Sequence, residues 1–578
     1  MHTPATLLRG TEADTALCDA DFIARWQELL ERCPYATVFQ RPQFVRPWYS
    51  TYRREWEPIL LVARETSGDL AGFWSLAWNE QRQALTHAGA HQAEYHAWLA
   101  AAGGEASFLE SSWRQLRRNL PFTRLSFDYL PNTALADLLR TTLTTVGVRK
   151  QSRPLLRLDP KAIQASFSKK SNKSRFNRLK RLGPLEFRRV VDRDEFERVF
   201  DELIDFYDFR QGATYRVTPF RRDSLKRDFH LTLFTAAPER VLLTVTYLAG
   251  RPIAAYWGLA SEEQTHLGML IHSPFLAEHS PGKLHLMQLS EHLLQLGMRR
   301  IDLTPGGDAW KERFANDHDE VVSAVLHVSR WQWRIAESRA MMIRAAKRIL
   351  PITGISPQQA RSARHRLRRV TLSALLRGLR TWIWDRREIR VYRADRSLAL
   401  RQAEDPRVRR NSLADLMLFQ GGHSSRTRDE FLSAALSRLE QGESAWTVRL
   451  EGRLAHCGWT AAVSEWRMME GDQVLRLPPG SVLLHDVYSA SGSDTQDSYR
   501  LAVGQMLRAA FADEGRCSAY LLVPADDRSS RRVIEAMGLG HESSFYRQCL
   551  LGRVSQWADP ANSEALLAGT ALPGGTGP

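Results

Sequence analysis

The stretch of residues 265–304 constrains the fold of this chain more than any other. An apolar strand ends near Leu270, and after a loop a helix begins near Pro281. Proline suits the first helical position, because no amide hydrogen bond is needed there. Gly297 is a typical helix stop, and an apolar strand, residues 300–304, follows at once. The segment therefore predicts a strand–loop–helix–strand unit, which is typical of layered folds that combine helices and sheets.

The same plan recurs along the chain. Helices, a meander of strands and a strand–helix–strand unit occur twice clearly, and a third time weakly near the N-terminus. We therefore predict the fold class α/β (α+β), with tandem domains that each contain a mixed, mostly antiparallel sheet flanked by helices. We place an N-terminal half at residues 1–155, a middle domain with the candidate site at 156–335, a basic helical linker at 336–388, a C-terminal domain at 389–556 and a disordered tail at 557–578.

The positive charge is concentrated in two segments. The formal net charge is +15, residues 166–181 contain seven Lys or Arg and no acid, and residues 336–390 contain 14 basic and three acidic residues. The first segment is either a solvated helix or a contact for RNA or another anionic substrate. The second interleaves cations with Leu and Trp, which predicts either peripheral contact with an anionic membrane or a linker packed on its neighbours. A nucleic-acid-binding domain is not expected, because no recognition motif is present.

The cysteine pattern argues against both disulfides and metal. The five cysteines are an odd number, and no C-x-x-C pair occurs, so neither a disulfide framework nor a structural zinc site is expected.

Residues 1–19 lack the apolar core of a signal peptide, and no run of 18 apolar residues occurs. We therefore expect a cytoplasmic protein, peripheral to the inner membrane if the second basic segment binds lipid.

The start of the predicted helix is chemically suited to an anion. Ser280 is a good N-cap, Gly282 permits close approach to the backbone, and Lys283 adds a cation. Free amides and the helix dipole favour negative charge at this end. The same residues also describe an ordinary capped helix, so both interpretations stay open on these residues alone.

Motifs on both sides of this helix resemble those of a known bacterial family. The motifs are Ser280-Pro281-Gly282 before the helix, Gly297 and Asp302 after it, the run Gly307–Phe314 beyond, Gly250–Tyr256 before it, and Phe39–Pro42 near the N-terminus. Together they resemble the GNAT-related acetyltransferase domain of cellulose-biosynthesis (CelD-like) proteins, over residues 20–335.

The resemblance implies a transferase that uses acetyl-CoA or another acyl-CoA as co-substrate and needs no metal. In GNAT enzymes the splayed end of the fourth strand receives the thioester, and the next helix holds the pyrophosphate. Carried onto this chain, Leu270 and Ile271 line the thioester, and Ser280, Gly282, Lys283 and Leu284 line the pyrophosphate. This chain has one glycine where the family pattern has two. Wider relatives of the Fem type take aminoacyl-tRNA instead.

Four side chains are candidates for the acceptor side of this site. Asp302 lies within or just past a strand and Asp308 lies in a loop, and either carboxylate is suited to take a proton from an attacking amine or hydroxyl. Lys311 pairs with one of them or holds an anionic group, and His272 is a second candidate base. Three of them have a structural alternative: a turn cap for Asp302, a solvated carboxylate for Asp308 and an ordinary structural histidine for His272.

The C-terminal domain resembles the end of ordinary GNAT domains over residues 482–540. The loop 490–500 contains two acidic residues, and Tyr499 replaces its second glycine. Carboxylates in that place would repel a pyrophosphate, so this copy is predicted to bind CoA poorly. Tyr546 is either an acid for a leaving thiolate or a core tyrosine.

Three functions remain open from the sequence. The first is an acyl-CoA-dependent N- or O-acyltransferase whose small-molecule or glycan acceptor is a sugar or a polysaccharide or envelope precursor. The second is a Fem-like transferase that uses aminoacyl-tRNA, the one interpretation in which a nucleic acid is a partner. The third is a non-catalytic scaffold of GNAT-like folds in polysaccharide assembly.

Overall fold

The computed structural model describes residues 3–349, 384–421, 426–467, 474–490, 495–512, 515–516, 518–550 and 553–559. The described residues form two compact units, which comprise most of residues 3–349 and most of residues 384–559. Most of the predicted basic linker (350–383), part of the C-terminal loop (491–494) and the tail from residue 560 lie outside the described residues.

Residues 3–349 contain the first 13 strands and the first 13 helices. The strands are β1 (Thr6–Arg9), β2 (Glu57–Arg64), β3 (Leu70–Asn79), β4 (Ala84–His87), β5 (Leu99–Ala100), β6 (Arg124–Leu130), β7 (Val146–Arg157), β8 (Leu185–Val190), β9 (Val241–Leu248), β10 (Arg251–Ala260), β11 (Gln264–His272), β12 (Arg300–Asp302) and β13 (Asp317–His327). The helices are α1 (Thr11–Cys18), α2 (Ala20–Glu31), α3 (Pro42–Tyr52), α4 (Glu105–Asn119), α5 (Thr133–Thr142), α6 (Pro160–Ser168), α7 (Lys170–Leu182), α8 (Arg193–Tyr215), α9 (Pro219–Arg222), α10 (Lys226–Ala236), α11 (Pro281–Gln295), α12 (Ala309–Phe314) and α13 (Arg330–Ile349). Short 3-10 turns lie at Val38–Gln40, Ala90–Gln92 and Pro274–His279.

The first unit is built on two sheets. A five-stranded sheet has the order β1-β2-β3-β4, with β5 also paired to β3, and an eight-stranded sheet has the order β6-β13-β7-β12-β11-β10-β9-β8. Within the large sheet β11 and β12 are parallel, and the other neighbouring strands are antiparallel. The position predicted as a domain boundary, residue 155, lies inside β7, whose two neighbours β12 and β13 come much later in the chain.

A continuous apolar core joins the two sheets of the first unit. Trp74 and Trp98 of the small sheet belong to the same buried cluster as Phe127 of β6 and Val322 of β13. A second cluster lies under α11, where Leu286, Leu289 and Leu293 pack on Tyr256 and Ile301. Their spacing of three and four residues is that of one helix face. The helix is thus fixed on the sheet from which the candidate site projects.

The second unit repeats the large sheet of the first. Its strands are β14 (Trp384–Ala394), β15 (Val408–Arg410), β16 (Ser444–Leu450), β17 (Arg453–Ala461), β18 (Glu465–Arg467), β19 (Val474–Arg476), β20 (Ser481–Ser489), β21 (Ser518–Pro524), β22 (Gly540–Leu550) and β23 (Arg553–Ala558). Its helices are α14 (Arg396–Leu400), α15 (Leu413–Leu416), α16 (Arg428–Glu440), α17 (Thr495–Ala510) and α18 (Arg528–Ala536). The sheet order is β15-β16-β17-β20-β21-β14-β22-β23, again with one parallel pair, β20 and β21. The predicted fold class, mixed sheets flanked by helices, is confirmed.

Two further expectations concern the described helices. The basic run 166–181 is helical through the end of α6 and most of α7, and most of its cations are exposed. Within the described residues, no helix is both long enough and apolar enough to cross a membrane.

Candidate active site

The site begins where the parallel pair of strands opens. Only three residues of β11 pair with β12, ending with His266 opposite Asp302, while β11 continues to His272 along β10. Gly268 is an extra residue in β11, because Trp257 pairs with Met269 and Gly258 pairs with Leu267. Such a bulge bends its strand. The half of β11 beyond His266 therefore leaves β12 and lines an opening in the sheet.

Helix α11 begins at this opening, but not as a simple serine cap. Ser280 precedes Pro281 in a left-handed conformation, with φ 53°, and its side chain makes no capping hydrogen bond. The expected serine N-cap is therefore wrong in its chemistry, although the helix starts where it was predicted. The amides of Lys283 and Leu284 both donate to the Ser280 carbonyl, at 3.1 and 3.2 Å. At its other end Gly297 has φ 78°, as expected for a helix stop.

Gly282 lies against the side chain of a neighbouring histidine. A Cβ atom at this position would lie 3.0 Å from Nδ1 of His272, which is tighter than ordinary contact. The side chain of His272, at the end of β11, therefore packs on the first turn of α11. Leu284, in the same turn, is fully buried in the core. Of the strand residues predicted to line a thioester, Ile271 is buried and Leu270 is half-buried.

Four cations gather around the first turn of α11. Burial lowers the pKa of Lys283, and repulsion from Arg175, Lys169 and Arg313 lowers it further. Arg175 belongs to α7 and Arg313 to α12, so three helices contribute to this group. In the described part of the chain, none of the four forms an ion pair with a carboxylate. We call Lys169, Arg175, Lys283 and Arg313 the cation cluster, and its charge is available to an anion.

Asp302 is the hub of a buried network. Its Oδ2 accepts from the Tyr95 hydroxyl at 2.7 Å and from Arg153 at 3.3 Å, and lies 3.1 Å from Nδ1 of His266. Its Oδ1 accepts from the Thr304 amide at 2.8 Å, and its side chain is fully buried. Burial opposes ionisation, but His266, Arg153 and Tyr95 hold the pKa of Asp302 below its ordinary value.

Lys311 organises the loop that follows Asp302. Its Nζ donates to the carbonyl and hydroxyl oxygens of Thr304, at 3.2 and 3.0 Å, and lies 3.6 Å from Oδ2 of Asp308. Burial lowers the pKa of Lys311. Thr304 itself has a left-handed backbone, with φ 58°. Three of the four predicted acceptor-side residues, Asp302, Asp308 and Lys311, thus lie together at the end of β12, whereas His272 lies at the end of β11.

Glu94 joins this group from the N-terminal part of the chain. The next residue, Tyr95, is the one whose hydroxyl binds Asp302, so Glu94 is held at the end of β12. Its side chain is half-buried, and among the described residues it forms no hydrogen bond or ion pair. Burial raises the pKa of Glu94 to about 7, although attraction to Lys311 and Lys226 opposes the shift.

Sequence reasoning did not find Glu94, Tyr95, Arg153 or His266. Tyr95 and Asp302 are 207 residues apart, and Arg153 and Asp302 are 149 apart. No local motif marks these residues, and only the insertion of β7 beside β12 brings Arg153 into place. A search for acidic and aromatic residues between β4 and β5 of the small sheet would have included Glu94 and Tyr95.

The corresponding opening in the second unit is lined by different kinds of residue. A cleft of about 350 Å³ lies between the end of β20, the start of α17 and α18. It is lined by Val487, Tyr488, Ser489, Ala490, Gln496, Tyr499, Asp527, Ser529, Ser530 and Val533. This lining, which comes from the described residues, contains no Lys or Arg. Across the same residues no group of three or more His, Cys, Asp or Glu side chains is arranged to hold a metal.

Comparison with known proteins gives a family match that includes the residues around the opening. Residues 166–312 match the model of the acetyltransferase (GNAT) domain, and this segment includes β11, α11, β12 and the loop to Lys311. The first unit contains a GNAT-fold domain. No curated protein sequence matches the chain.

Several solved structures are similar to part of the chain. The C-terminal domain of a candidate lysylphosphatidylglycerol synthetase from Agrobacterium fabrum is 13% identical, with a TM-score of 0.36 over 56% of this chain and 96% of its own. FemX is 10% identical, with a TM-score of 0.37 over 54% and 98%. A tandem GNAT protein from the clavulanic acid biosynthesis pathway is 12% identical, with a TM-score of 0.33 over 56% and 99%.

Proposed function

We propose that the first unit is an acyltransferase that takes its acyl group from acyl-CoA. The observation that carries this proposal is the cation cluster, four unpaired cations beside the open end of β11. A carboxylate partner would neutralise such a group in a purely structural role, whereas the phosphates of CoA would form charge-assisted hydrogen bonds with it. The matched acetyltransferase domain and the sheet opening support the same assignment. Leu270 and Ile271 then line the thioester, and the first turn of α11 lies beside the pyrophosphate.

The acceptor in this proposal is an amine or hydroxyl of a sugar or a polysaccharide precursor. The CelD-like motifs support this finer assignment, since residues 280–314 carry the pattern that suggested it. Asp302 is fully buried and fully hydrogen-bonded, so its proposed role is to fix the loop at the acceptor side. Asp308 and Lys311 complete that loop, and His272 supports the start of α11.

The test is a titration of the full chain with acetyl-CoA, in which calorimetry measures the binding. Lys283→Ala removes one member of the cation cluster and is expected to weaken binding about tenfold, a loss of about 1.4 kcal/mol. Lys150→Ala is the matched control, because Lys150 is an exposed lysine that pairs with Glu320. Binding should also weaken as salt is raised. No binding of acetyl-CoA, or equal binding by both variants, would contradict the proposal.

An aminoacyl-tRNA donor is the second candidate, and α7 favours it. Besides Arg175 this helix carries Lys170, Lys173, Arg178 and Lys180, which are exposed and, among the described residues, without acidic partners. This is more charge than one pyrophosphate needs. Bulk tRNA should then bind with an affinity that falls steeply with salt, and acetyl-CoA should not bind. If neither ligand binds, the scaffold function is favoured.

A further inference from the structure

At the acceptor side of the first unit, Glu94 is a carboxylate that is available for proton transfer. Asp302 is fully buried and accepts hydrogen bonds at both oxygens. Asp308 lies beside Lys311. Glu94 differs from both, because its carboxylate is partly accessible and makes no hydrogen bond or ion pair with any described residue.

The neighbouring network fixes the position of Glu94. On one side the Tyr95 hydroxyl is bound to Asp302, at the point where β11 and β12 separate. On the other side Gln92 donates to Asp223 at 3.2 Å and accepts from Lys226 at 2.7 Å. The chain on both sides of Glu94 is therefore held in place, which keeps its carboxylate at the acceptor side, as a positioned proton acceptor requires.

We infer that Glu94 is the general base of the transfer reaction, an inference that rests on the proposed acyl-CoA-dependent function. The acceptor amine or hydroxyl attacks the thioester carbonyl carbon and gives its proton to the Glu94 carboxylate. A bond forms between that carbon and the acceptor atom, the carbon–sulfur bond breaks, and its electron pair leaves with the CoA thiolate. The proton held by Glu94 then passes to solvent, which protonates the thiolate.

The charges that face Glu94 set its ionisation. They are Lys311 on α12, Lys226 on α10, Asp302 on β12 and Asp128 on β6. Burial raises the pKa of Glu94, the two carboxylates raise it further, and the two lysines lower it, with the net result at about 7. A base with a pKa near the working pH is both ionised often enough and basic enough to be efficient.

The first experiment needs no acceptor. A water-soluble carbodiimide with glycine ethyl ester modifies protonated carboxyl groups, and peptide mass spectrometry then gives the labelling rate at each site between pH 5 and 8. We expect labelling of Glu94 to fall with a midpoint near pH 7, with Glu110, an exposed carboxylate on α4, as the reference site for labelling in the same digest. Absence of labelling at Glu94, or labelling that does not fall between pH 5 and 8, would overturn the inference.

The second experiment measures thiol release from acetyl-CoA, with glucosamine as the probe acceptor. Glu94→Gln is expected to lower kcat by at least about 100-fold and to leave the affinity for acetyl-CoA within twofold of the starting protein. Glu94→Asp should recover part of the rate, and Glu110→Gln should change nothing. Unchanged turnover in Glu94→Gln would refute the role of Glu94. Failure of the unaltered chain to bind acetyl-CoA would instead refute the proposed donor, and the labelling result would still stand on its own.

Discussion

Asp302 holds together residues from three distant parts of the sequence. Asp302→Asn removes the charge that faces the almost fully buried Arg153, and we expect a loss of about 2–3 kcal/mol in the free energy of unfolding. Asp317→Asn is the control, since its partner Arg157 is largely exposed, and should cost much less, because exposed ion pairs are screened by solvent. Urea unfolding measures both. Equal losses would show that the Asp302 network contributes little to stability.

The loss of unfolding free energy in Asp302→Asn should depend on pH in a defined direction. The folded protein lowers the pKa of Asp302, so its ionised form stabilises the fold at pH values above the ordinary carboxyl pKa of about 4. That stabilisation disappears as pH falls through the lower folded pKa. The unfolding free energies of Asp302→Asn and the unaltered chain should therefore converge below about pH 4. A difference that stays constant at acidic pH would contradict this account.

The contribution of Glu94 to stability should depend on pH in the opposite direction. Its folded pKa of about 7 lies above the ordinary value, so its contribution to stability is complete at low pH and is lost as pH rises towards 7 and beyond. Glu94→Gln removes that dependence. We expect the variant to raise the thermal unfolding midpoint at pH 8 relative to the unaltered chain, and to have little effect at pH 5. An equal shift at both pH values would indicate that burial does not perturb this carboxylate.

The sequence predicted the loop-forming members of the site, but not its long-range members. Asp302, Asp308 and Lys311 lie within ten positions and share one motif, so their proximity followed from the chain itself. Glu94 and Arg153 reach the same place only through tertiary packing, and spacing carries no information about that. Ser280 was correctly predicted to precede the helix, but its residue type suggested a side-chain cap. The structure instead has a left-handed backbone at Ser280 and no side-chain cap.

At the scale of elements, the first turn of α11 depends on its contact with β11. Gly282→Ala places a methyl group against the His272 ring and should cost about 1–3 kcal/mol, as overpacking usually does. The double variant Gly282→Ala with His272→Ala should recover part of that loss, as measured by urea unfolding. Gly147→Ala on β7 is the control, because a Cβ there would meet nothing closer than 3.9 Å. If the double variant recovers none of the lost stability, contact with His272 is not the cause of the loss in Gly282→Ala.

Helix α13 presents a surface suited to a lipid headgroup region. Trp331, Met341 and Met342 are 69%, 63% and 65% exposed, and Arg334 and Arg339 lie on the same helix. Large apolar side chains among cations favour anionic membranes. We expect the full chain to sediment with vesicles that contain phosphatidylserine but not with phosphatidylcholine vesicles, and Trp331→Ala with Met341→Ala to weaken this. Equal sedimentation of the double variant and the unaltered chain would exclude α13 as the contact.

At the scale of the whole molecule, two sheets of one design differ in their chemistry. The opening in the first unit has the cation cluster, while the lining of the cleft in the second unit contains Asp527 and several hydroxyl groups. A phosphate near Asp527 would be repelled. We therefore expect calorimetry to give one acetyl-CoA bound per chain. A stoichiometry of two would show that the second unit also binds acetyl-CoA.

The insertion of β7 between β12 and β13 has a consequence for how the chain folds while the ribosome makes it. As the ribosome makes the chain, β7 emerges well before both of its sheet neighbours, and more than 140 further residues must follow before β12 is available. The large sheet therefore cannot close progressively from its N-terminal end, and contacts of such long sequence separation slow folding. Because β14 repeats this arrangement between β21 and β22, each unit waits for its last strands, and a nascent chain released early at either place would expose an unpaired strand.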